Sequence, residues 1–332
     1  MSRPSSLRLI AVTSGDPCGI GPEVIIKSLS RLRIPSSIRI LVIGDQTVFR
    51  QTAQRLGKKI LPWPLARQGQ PFSPGVSFYD LKHPHRFLPG GSSAQAGKAS
   101  LDYLNAALDL WRKDQLYGLV TGPITKWAVQ KVNRSFAGHT EYLAYYTKTK
   151  KVVMLFASNA FRVVVITRHI PLRAVSQALT PALLSSTIRL THQALRRQFG
   201  VKNPRLALCG LNPHAAELAR QSSEEKRVML PVLRALLKSG IRCEGPFAAD
   251  GFFAEAYKHY DAVFCPYHDQ GLIPFKMAAR DSGCQASLGL PFIRTSPDHG
   301  SGLDIAGKAK AHPGSMGYAL RLAIDGVLRQ MR

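Results

Sequence analysis

The sequence predicts an α/β fold built around a largely parallel sheet, and three observations carry that prediction. Short runs rich in Val, Ile and Leu, such as Leu9–Val12, Ile38–Ile43 and Leu206–Cys209, have strand length and end in turns containing Gly or Pro. Segments of helical character separate them, the alternation expected of parallel strands joined by crossover helices. Three of the runs also deliver a histidine just past their ends: Val163–Ile166 leads to His169, Leu206–Cys209 to His214, and Ala262–Phe264 to His268. Ligands of open α/β sheets bind outside the carboxyl ends of the strands. Each histidine alone reads more readily as a hydrogen-bonded loop residue than as a ligand, but three in one context suit an open metal site with positions left for water or substrate. An enzyme is the leading reading.

The elements follow in order. Strand Leu9–Val12 feeds the turn Gly15–Glu23, after which a helix begins near Pro22, where Pro suits a first turn and Glu23 complements the dipole. Ile38–Ile43 is a second strand. From about Leu61 to Gly91 the chain is rich in Pro and Gly, with a strand at Val76–Tyr79. Gly97 to Lys113 reads as an amphipathic helix and Leu116–Val120 as a strand. Val152–Phe156 and Arg162–Thr167 form a pair, a hairpin about Ser158-Asn159. Thr180 caps a long helix through Phe199, and Ser223 caps another through Ser239. Strand Ala262–Phe264 precedes a turn at Tyr267–Gly271, and Ser315–Gln330 closes the chain as a helix.

Composition narrows the class. The 332 residues suffice for two domains or one large α/β unit. No apolar stretch approaches the ~20 residues of a membrane span, and the run after Met1–Ser6 is too short for a signal-peptide core. Five cysteines without a CxxC pair give neither a disulfide framework nor a zinc-finger spacing, which points to a reducing, cytoplasmic setting. Cys209 and Cys265 fall inside strands as small buried hydrophobes. The net charge of +25 raises nucleic-acid binding. The basic residues are dispersed and no helix-turn-helix, zinc or RNA-recognition signature accompanies them, so no specific nucleic-acid partner is expected.

Several motifs carry chemistry. The Gly15–Glu23 turn has the spacing Gly-x-x-x-Gly-x-Gly, which is neither a Rossmann fingerprint nor a P-loop; it reads as a tight strand-to-helix turn or a phosphate cradle. Gly138-His139-Thr140-Glu141 sets an imidazole and a hydroxyl at a helix start, serving either an anion or simple capping by Thr140. Lys276 and Arg294 are cations in mainly apolar surroundings, matched by an anionic ligand or by Asp269 or Asp298. Asp250 is a third carboxylate of interest.

The blocks GDPCGIGPE, TGPITK, GHTE, TRHIPL, CGLNPHAAE, YHDQG, LGLPFIRTSPDHGSG and LDIAGKAKA, in this order from about Val12 to the C-terminus, resemble the 4-hydroxythreonine-4-phosphate dehydrogenase family of pyridoxal phosphate biosynthesis. The resemblance implies an isocitrate/isopropylmalate dehydrogenase-like fold, with two α/β/α domains flanking a cleft, and a homodimer. Residues 1–126 plus 301–332 would form the first domain, and 127–300 the second, with the metal ligands and much of the dimer contact. It implies one divalent ion (Zn²⁺, Mg²⁺ or Co²⁺) held by His169, His214 and His268 and shared between subunits. Substrate contacts fall on His139, Thr140, Lys276, Arg294 and Gln285. No cofactor-binding residue is assigned.

The implied reaction is NAD- or NADP-linked oxidation of 4-phosphooxy-threonine to a β-keto acid, which loses CO₂ to give 3-amino-2-oxopropyl phosphate. Lys276 and Asp269, and more weakly Asp250, are the candidate proton acceptors. Five positions depart from the family's common residues: Cys18 stands for Ala, Thr125 for Asn, Ala216 for Gly, Gly251 for Thr and Gln285 for Asn. The last keeps open a dehydrogenase of another phosphorylated hydroxy acid, such as a four-carbon sugar-acid phosphate.

Overall fold

The apolar runs flanked by turns do become strands, and those at Leu206–Cys209 and Ala262–Cys265 are buried on both faces. The structure, a computed structural model, describes residues 7–58, 63–66, 75–216 and 223–331. Part of the Pro/Gly-rich stretch expected from Leu61, and the lead-in Met1–Ser6, lie outside them. In chain order come β1 (Arg8–Thr13), α1 (Gly21–Leu29), β2 (Ile38–Gly44), α2 (Gln46–Arg55), β3 (Gly75–Asp80), α3 (Ala94–Arg112) and β4 (Leu116–Thr121). Then follow α4 (Lys126–Gln130), α5 (His139–Tyr146), β5 (Val153–Ala157), β6 (Arg162–Val165), α6 (Val175–Ala178), α7 (Pro181–Arg197) and β7 (Leu206–Cys209). The remainder is α8 (Leu230–Lys238), β8 (Cys243–Phe247), α9 (Ala249–Ala254), β9 (Ala262–Cys265), α10 (His268–Ala279), β10 (Cys284–Leu288), β11 (Ile293–Pro297) and α11 (Gly314–Arg329).

The chain divides into two compact units, one running to Lys150 together with Leu290–Met331, the other Lys151–Gly289. Residues 127–150 and 290–300, expected in the second domain, therefore fall with the first. Packing explains this. Helix α4 lies so close to α3 that a Cβ on Gly97 would sit 2.1 Å from the Ala128 carbonyl oxygen. The Tyr142 hydroxyl of α5 donates to Asn105 of α3 at 2.7 Å, and β11 pairs with β4.

In the first unit the strand order is β3-β2-β1-β4-β11, all parallel. Strand β1, buried from Leu9 to Thr13, lies between β2 and β4, so the loops leaving β1 and β4 diverge at a topological switch point. In the second unit the order is β10-β5-β6-β9-β7-β8. Strands β6, β9, β7 and β8 run parallel, while β5 is antiparallel to both β10 and β6, so this sheet is mixed. The β5–β6 hairpin turns at Ser158, whose amide donates to the Phe161 carbonyl. Pro246 sits in β8, an edge strand of this order, where a missing N–H is tolerated.

Most expected boundaries hold, including Thr180, whose side chain accepts from the Leu183 amide. Two differ. Tyr267–Gly271 is not a free turn: Tyr267 is the N-cap and the helix starts at His268. The segment capped by Ser223 opens with a π-helical turn, Glu225–Met229, before α8.

Gly97 offers a direct test of the packing. Alanine in a helix interior ordinarily gains about 1 kcal/mol over glycine. Here the overlap with Ala128 must win, so Gly97→Ala should lower the unfolding free energy by about 2 kcal/mol, read by urea denaturation.

Candidate active site

The first unit gathers a cationic cluster at the carboxyl edge of its sheet. Arg294 on β11 is 3% exposed, and its Nη2 donates to the Thr121 hydroxyl at the end of β4 at 2.7 Å. His139 opens α5, and Thr140 beside it is buried. The helix is capped at Gly138 with no side-chain bond, so Thr140 is not the cap; it stands inside the first turn. A side chain at Gly138 would approach Glu141 and the Lys126 stem, which places Lys126 at the start of the helix. Crowding by protein, and then the charges of Arg294 and Lys126, hold the His139 imidazole well below its ordinary value of 6.5. A neutral imidazole between two cations can donate to or accept from an anion that the cations attract.

The Gly-rich turn after β1 resolves to a tight turn that supplies its own anion. Asp16 is fully buried; its Oδ1 accepts from the Cys18 amide at 2.8 Å and its Oδ2 from the Ser92 hydroxyl at 2.6 Å. Gly15 adopts φ +74° within 2.3 Å (as a notional Cβ) of the Pro123 carbonyl oxygen, which only glycine allows. The donors a phosphate would use there already face a carboxylate.

The second unit places the histidines as the strand runs predict. They leave β6, β9 and β7, three adjacent parallel strands. The exits of β6 and β9 are tied together: the Thr167 amide and hydroxyl both donate to the Pro266 carbonyl, at 3.0 and 2.6 Å. His169 and His268 are thereby brought to 5.7 Å between ring centroids at 48°. Two imidazoles on one tetrahedral ion would lie roughly 5 Å apart by centroid, so the pair fits a divalent metal. His268 Nδ1 lies 2.6 Å from Asp269 Oδ1. A carboxylate there fixes the proton on Nδ1 and leaves the Nε2 lone pair for a ligand role. Asp269 thus orients an imidazole.

His214 is exposed on the loop after β7, in the left-handed region at φ 52° with Ala215 at φ 50°. That loop is locked from behind. Glu225, 1% exposed, accepts from the Leu211 and Asn212 amides at 2.8 Å each and from Asn212 Nδ2 at 2.9 Å. Gln270 of α10 donates to the Gly210 carbonyl at 2.7 Å, joining the loop to the helix that begins at His268. Among the described residues, no group of three or more His, Cys, Asp or Glu side chains is gathered as a metal set. Within the chain, the structure pairs His169 with His268 and leaves His214 outside that pair.

The remaining expected residues scatter. Lys276 is exposed on α10, because that helix buries Gly271, Leu272, Phe275 and Ala279 instead; the apolar setting expected of it holds only for Arg294. Asp250 is exposed on α9. Gln285 on β10 is buried, its amide donating to Ser287 two residues along at 3.0 Å. Thr121, Lys126, Glu225 and Gln270 were not singled out from the sequence. The first two lie in the block TGPITK and were within reach; Glu225 was hidden by the chain that loops back to it.

Sheet-edge imidazoles in one unit and a buried arginine among polar groups in the other define an α/β enzyme. Its family is equally plain: the family model of the pyridoxal phosphate biosynthetic protein PdxA matches residues 36–323, and the chain belongs to that family. It is similar to the 4-hydroxythreonine-4-phosphate dehydrogenase of Aromatoleum aromaticum, 40% identical over 328 residues that cover 96% of each chain. The solved 4-hydroxythreonine-4-phosphate dehydrogenase of Klebsiella pneumoniae matches with a TM-score of 0.80 at 35% identity, over 96% of this chain and 99% of that one. A terephthalate 1,2-cis-dihydrodiol dehydrogenase from Burkholderia xenovorans LB400 matches with a TM-score of 0.66 at 30% identity, over 96% and 98%.

Two outcomes follow from this geometry. In a histidine NMR titration, His139 should titrate below 6.5, and its midpoint should rise in Arg294→Ala and in Lys126→Ala. The depressed folded value means that the unfolded chain takes up the proton first. His139 therefore contributes stability that is present above pH 6.5 and is lost as pH falls toward its folded value. Glu225→Gln should cost about 1–3 kcal/mol of unfolding free energy, since a charged acceptor of buried backbone donors is replaced, measured by chemical denaturation.

Proposed function

We propose that the chain oxidises the C3 hydroxyl of 4-phosphooxy-threonine, yielding a β-keto acid that decarboxylates to 3-amino-2-oxopropyl phosphate. The observation that carries the reading is the His169–His268 pair, with Asp269 on its outer nitrogen, in a chain of this family. The relatives are named dehydrogenases over nearly their whole length, and the chain is an oxidoreductase acting on a CH–OH group. Such an enzyme draws on a nicotinamide cofactor, NAD or NADP in our reading.

His169 and His268 would hold a divalent ion, Zn²⁺, Mg²⁺ or Co²⁺, with the partner's His214 completing the set in a homodimer. The exposure of His214 supports that assignment. When bound, the ion supplies Lewis-acid polarisation of the reacting hydroxyl, and the nicotinamide supplies a two-electron acceptor. Asp269 keeps His268 in the ligating tautomer. Arg294, with Thr121 behind it, holds an anionic group of the substrate; neutral His139 and Thr140 hydrogen-bond beside it. Lys276, free of the orienting role that occupies Asp269, accepts the hydroxyl proton. Asp250, exposed on α9, is the weaker candidate for that role. The setting is cytoplasmic, in keeping with five free cysteines. No helix among the described residues is long and apolar enough to cross a membrane.

A second reading, oxidation of another phosphorylated hydroxy acid such as a four-carbon sugar-acid phosphate, is favoured by one observation. The Gln285 amide is turned along its own strand to Ser287, so it does not simply stand in for a shorter asparagine.

The test is NADH or NADPH formation from 4-phosphooxy-threonine, with and without chelator, then after adding back Zn²⁺, Mg²⁺ or Co²⁺. Turnover that the chelator abolishes and metal restores is expected, and His169→Ala should lose it while folding normally. Absence of turnover with every metal and both cofactors overturns the first reading. A sugar-acid phosphate that Gln285→Asn then disfavours would establish the second.

A further inference from the structure

The second unit carries a second polar concavity, at the end of its sheet opposite the histidines. Arg205 immediately precedes β7 and Arg242 immediately precedes β8, two parallel neighbours, so both mark the amino edge. His214 follows the carboxyl end of that same β7. With His192 and Arg196 from the last turns of α7, and Lys202 from the α7–β7 connection, these residues line a cavity of about 470 Å³. Its wall holds four cationic side chains against one carboxylate, Glu244.

The four cations are exposed at the surface, and two of them have fixed neighbours. The Arg205 backbone is clamped on both sides, its amide donating to Asp261 Oδ2 at 2.8 Å and its carbonyl accepting from the Asp261 amide at 2.7 Å. Its guanidinium lies 5.4 Å from the centre of the Tyr260 ring. Glu244 is already engaged, by the Tyr260 hydroxyl at 2.7 Å and by Arg242 Nε at 3.0 Å. Those contacts hold the carboxylate below its usual range, so it stays ionised. His192 faces the same space with its value lowered by burial and then by Arg196, so it adds a neutral ring. Four cations facing one concavity repel one another unless an anion joins them.

The lining also says what kind of anion. It contains no Phe, Tyr or Trp side chain, and Pro204 is its one largely apolar member, so apart from the single His192 ring it offers no apolar platform for a nucleobase. Its size falls within the roughly 300–1,000 Å³ range of small-ligand clefts. We propose that this cavity binds a compact multianion carrying two phosphate groups, condensed or on a small sugar, apart from the site at the histidines. Arg196 and Lys202 would hold one phosphate and Arg205 and Arg242 the other. The inference does not depend on the reaction proposed above.

Calorimetric titration of the full-length protein with inorganic pyrophosphate, and separately with fructose 1,6-bisphosphate, tests it. At moderate salt the expected result is saturable binding of at least one of them at one site per chain. That binding should weaken at least about tenfold in R205Q/R242Q, which removes two charge-assisted anion contacts. R50Q/R55Q on α2, with the same loss of charge, should bind as the parent does, and all should turn over substrate alike. The tighter of the two probes names the source of the phosphates. If R205Q/R242Q folds poorly, R196Q/K202Q, which leaves Glu244 and Tyr260 their partners, must show the same loss. Three results overturn the proposal. They are no saturable binding of either probe, equal weakening in R50Q/R55Q, and loss of the site in Arg294→Ala rather than in the cavity variants. Duplex DNA that competes pyrophosphate away with higher affinity also overturns it, in favour of a nucleic-acid surface.

Discussion

The hydrogen-bond register of β6, β9 and β7 is the constraint on which the second unit's chemistry depends. Val165 pairs with Cys265, and Leu208 with Phe264, so the three strands end nearly level. Residues a few positions beyond the last pair must therefore emerge at one edge. His169 lies four residues past Val165, and His268 three past Cys265. The ladder continues into the loops through Ile166 and Thr167, whose amides donate to the Cys265 and Pro266 carbonyls. A slip of one residue would turn every side chain of a strand to the opposite face. Strand β9 is buried along all four residues, so such a slip would put the wrong side chains into both of its packed faces. The same burial that stabilises the sheet thus fixes the spacing of the two imidazoles.

Electrostatics divides the polar groups in a complementary way. In the second unit a carboxylate, Asp269, sits on an imidazole and keeps a lone pair outward. In the first unit burial, and then the cations Arg294 and Lys126, hold the His139 imidazole well below its ordinary value. Charging that ring would place a third positive group beside Arg294 and Lys126 in a desolvated setting, which is unfavourable. The turn after β1, by contrast, is closed to anions because Asp16 already occupies its donors. One sheet edge therefore presents two kinds of strand-to-helix turn, and only the polar groups around each decide which can take a ligand.

What the sequence revealed was the part governed by local pattern. Leu206–Cys209 is a strand with the expected limits because its four apolar residues are buried in full and a Gly follows. Thr180 caps α7 through the bond that a threonine before a proline is suited to make. The carboxyl-edge position of the three histidines was legible for the same reason. The remainder depended on tertiary contacts. Thr140 looked like a cap because it is a threonine at a helix start, yet Gly138 takes that place and burial takes the hydroxyl. The YHDQG segment reads as a turn from its polarity, whereas α10 buries Gly271, Leu272 and Phe275 and draws it into helix. The domain limits missed α4 and α5, because the close approach of Gly97 to Ala128 has no signature in either segment alone.

The loop of His214 shows most clearly that the second unit is shaped by more than folding stability. Two consecutive non-glycine residues, His214 and Ala215, sit at positive φ, which costs roughly 1–2 kcal/mol each. Gly210 must lack a side chain there, since a Cβ would lie 2.8 Å from the Ala215 backbone. Against that strain stands Glu225, a buried carboxylate with three donors from Leu211 and Asn212. Hydrogen bonds to a charged group contribute roughly 1.5–3 kcal/mol each before its desolvation is counted. Those bonds act against the strain by holding the Leu211–Asn212 backbone that leads into the loop. A π-helical turn at Glu225–Met229, itself less favourable than α-helix, follows directly from that carboxylate. Gln270 also ties the loop to the helix that begins at His268. His214 itself is exposed past the carboxyl end of β7, the edge at which His169 and His268 leave β6 and β9.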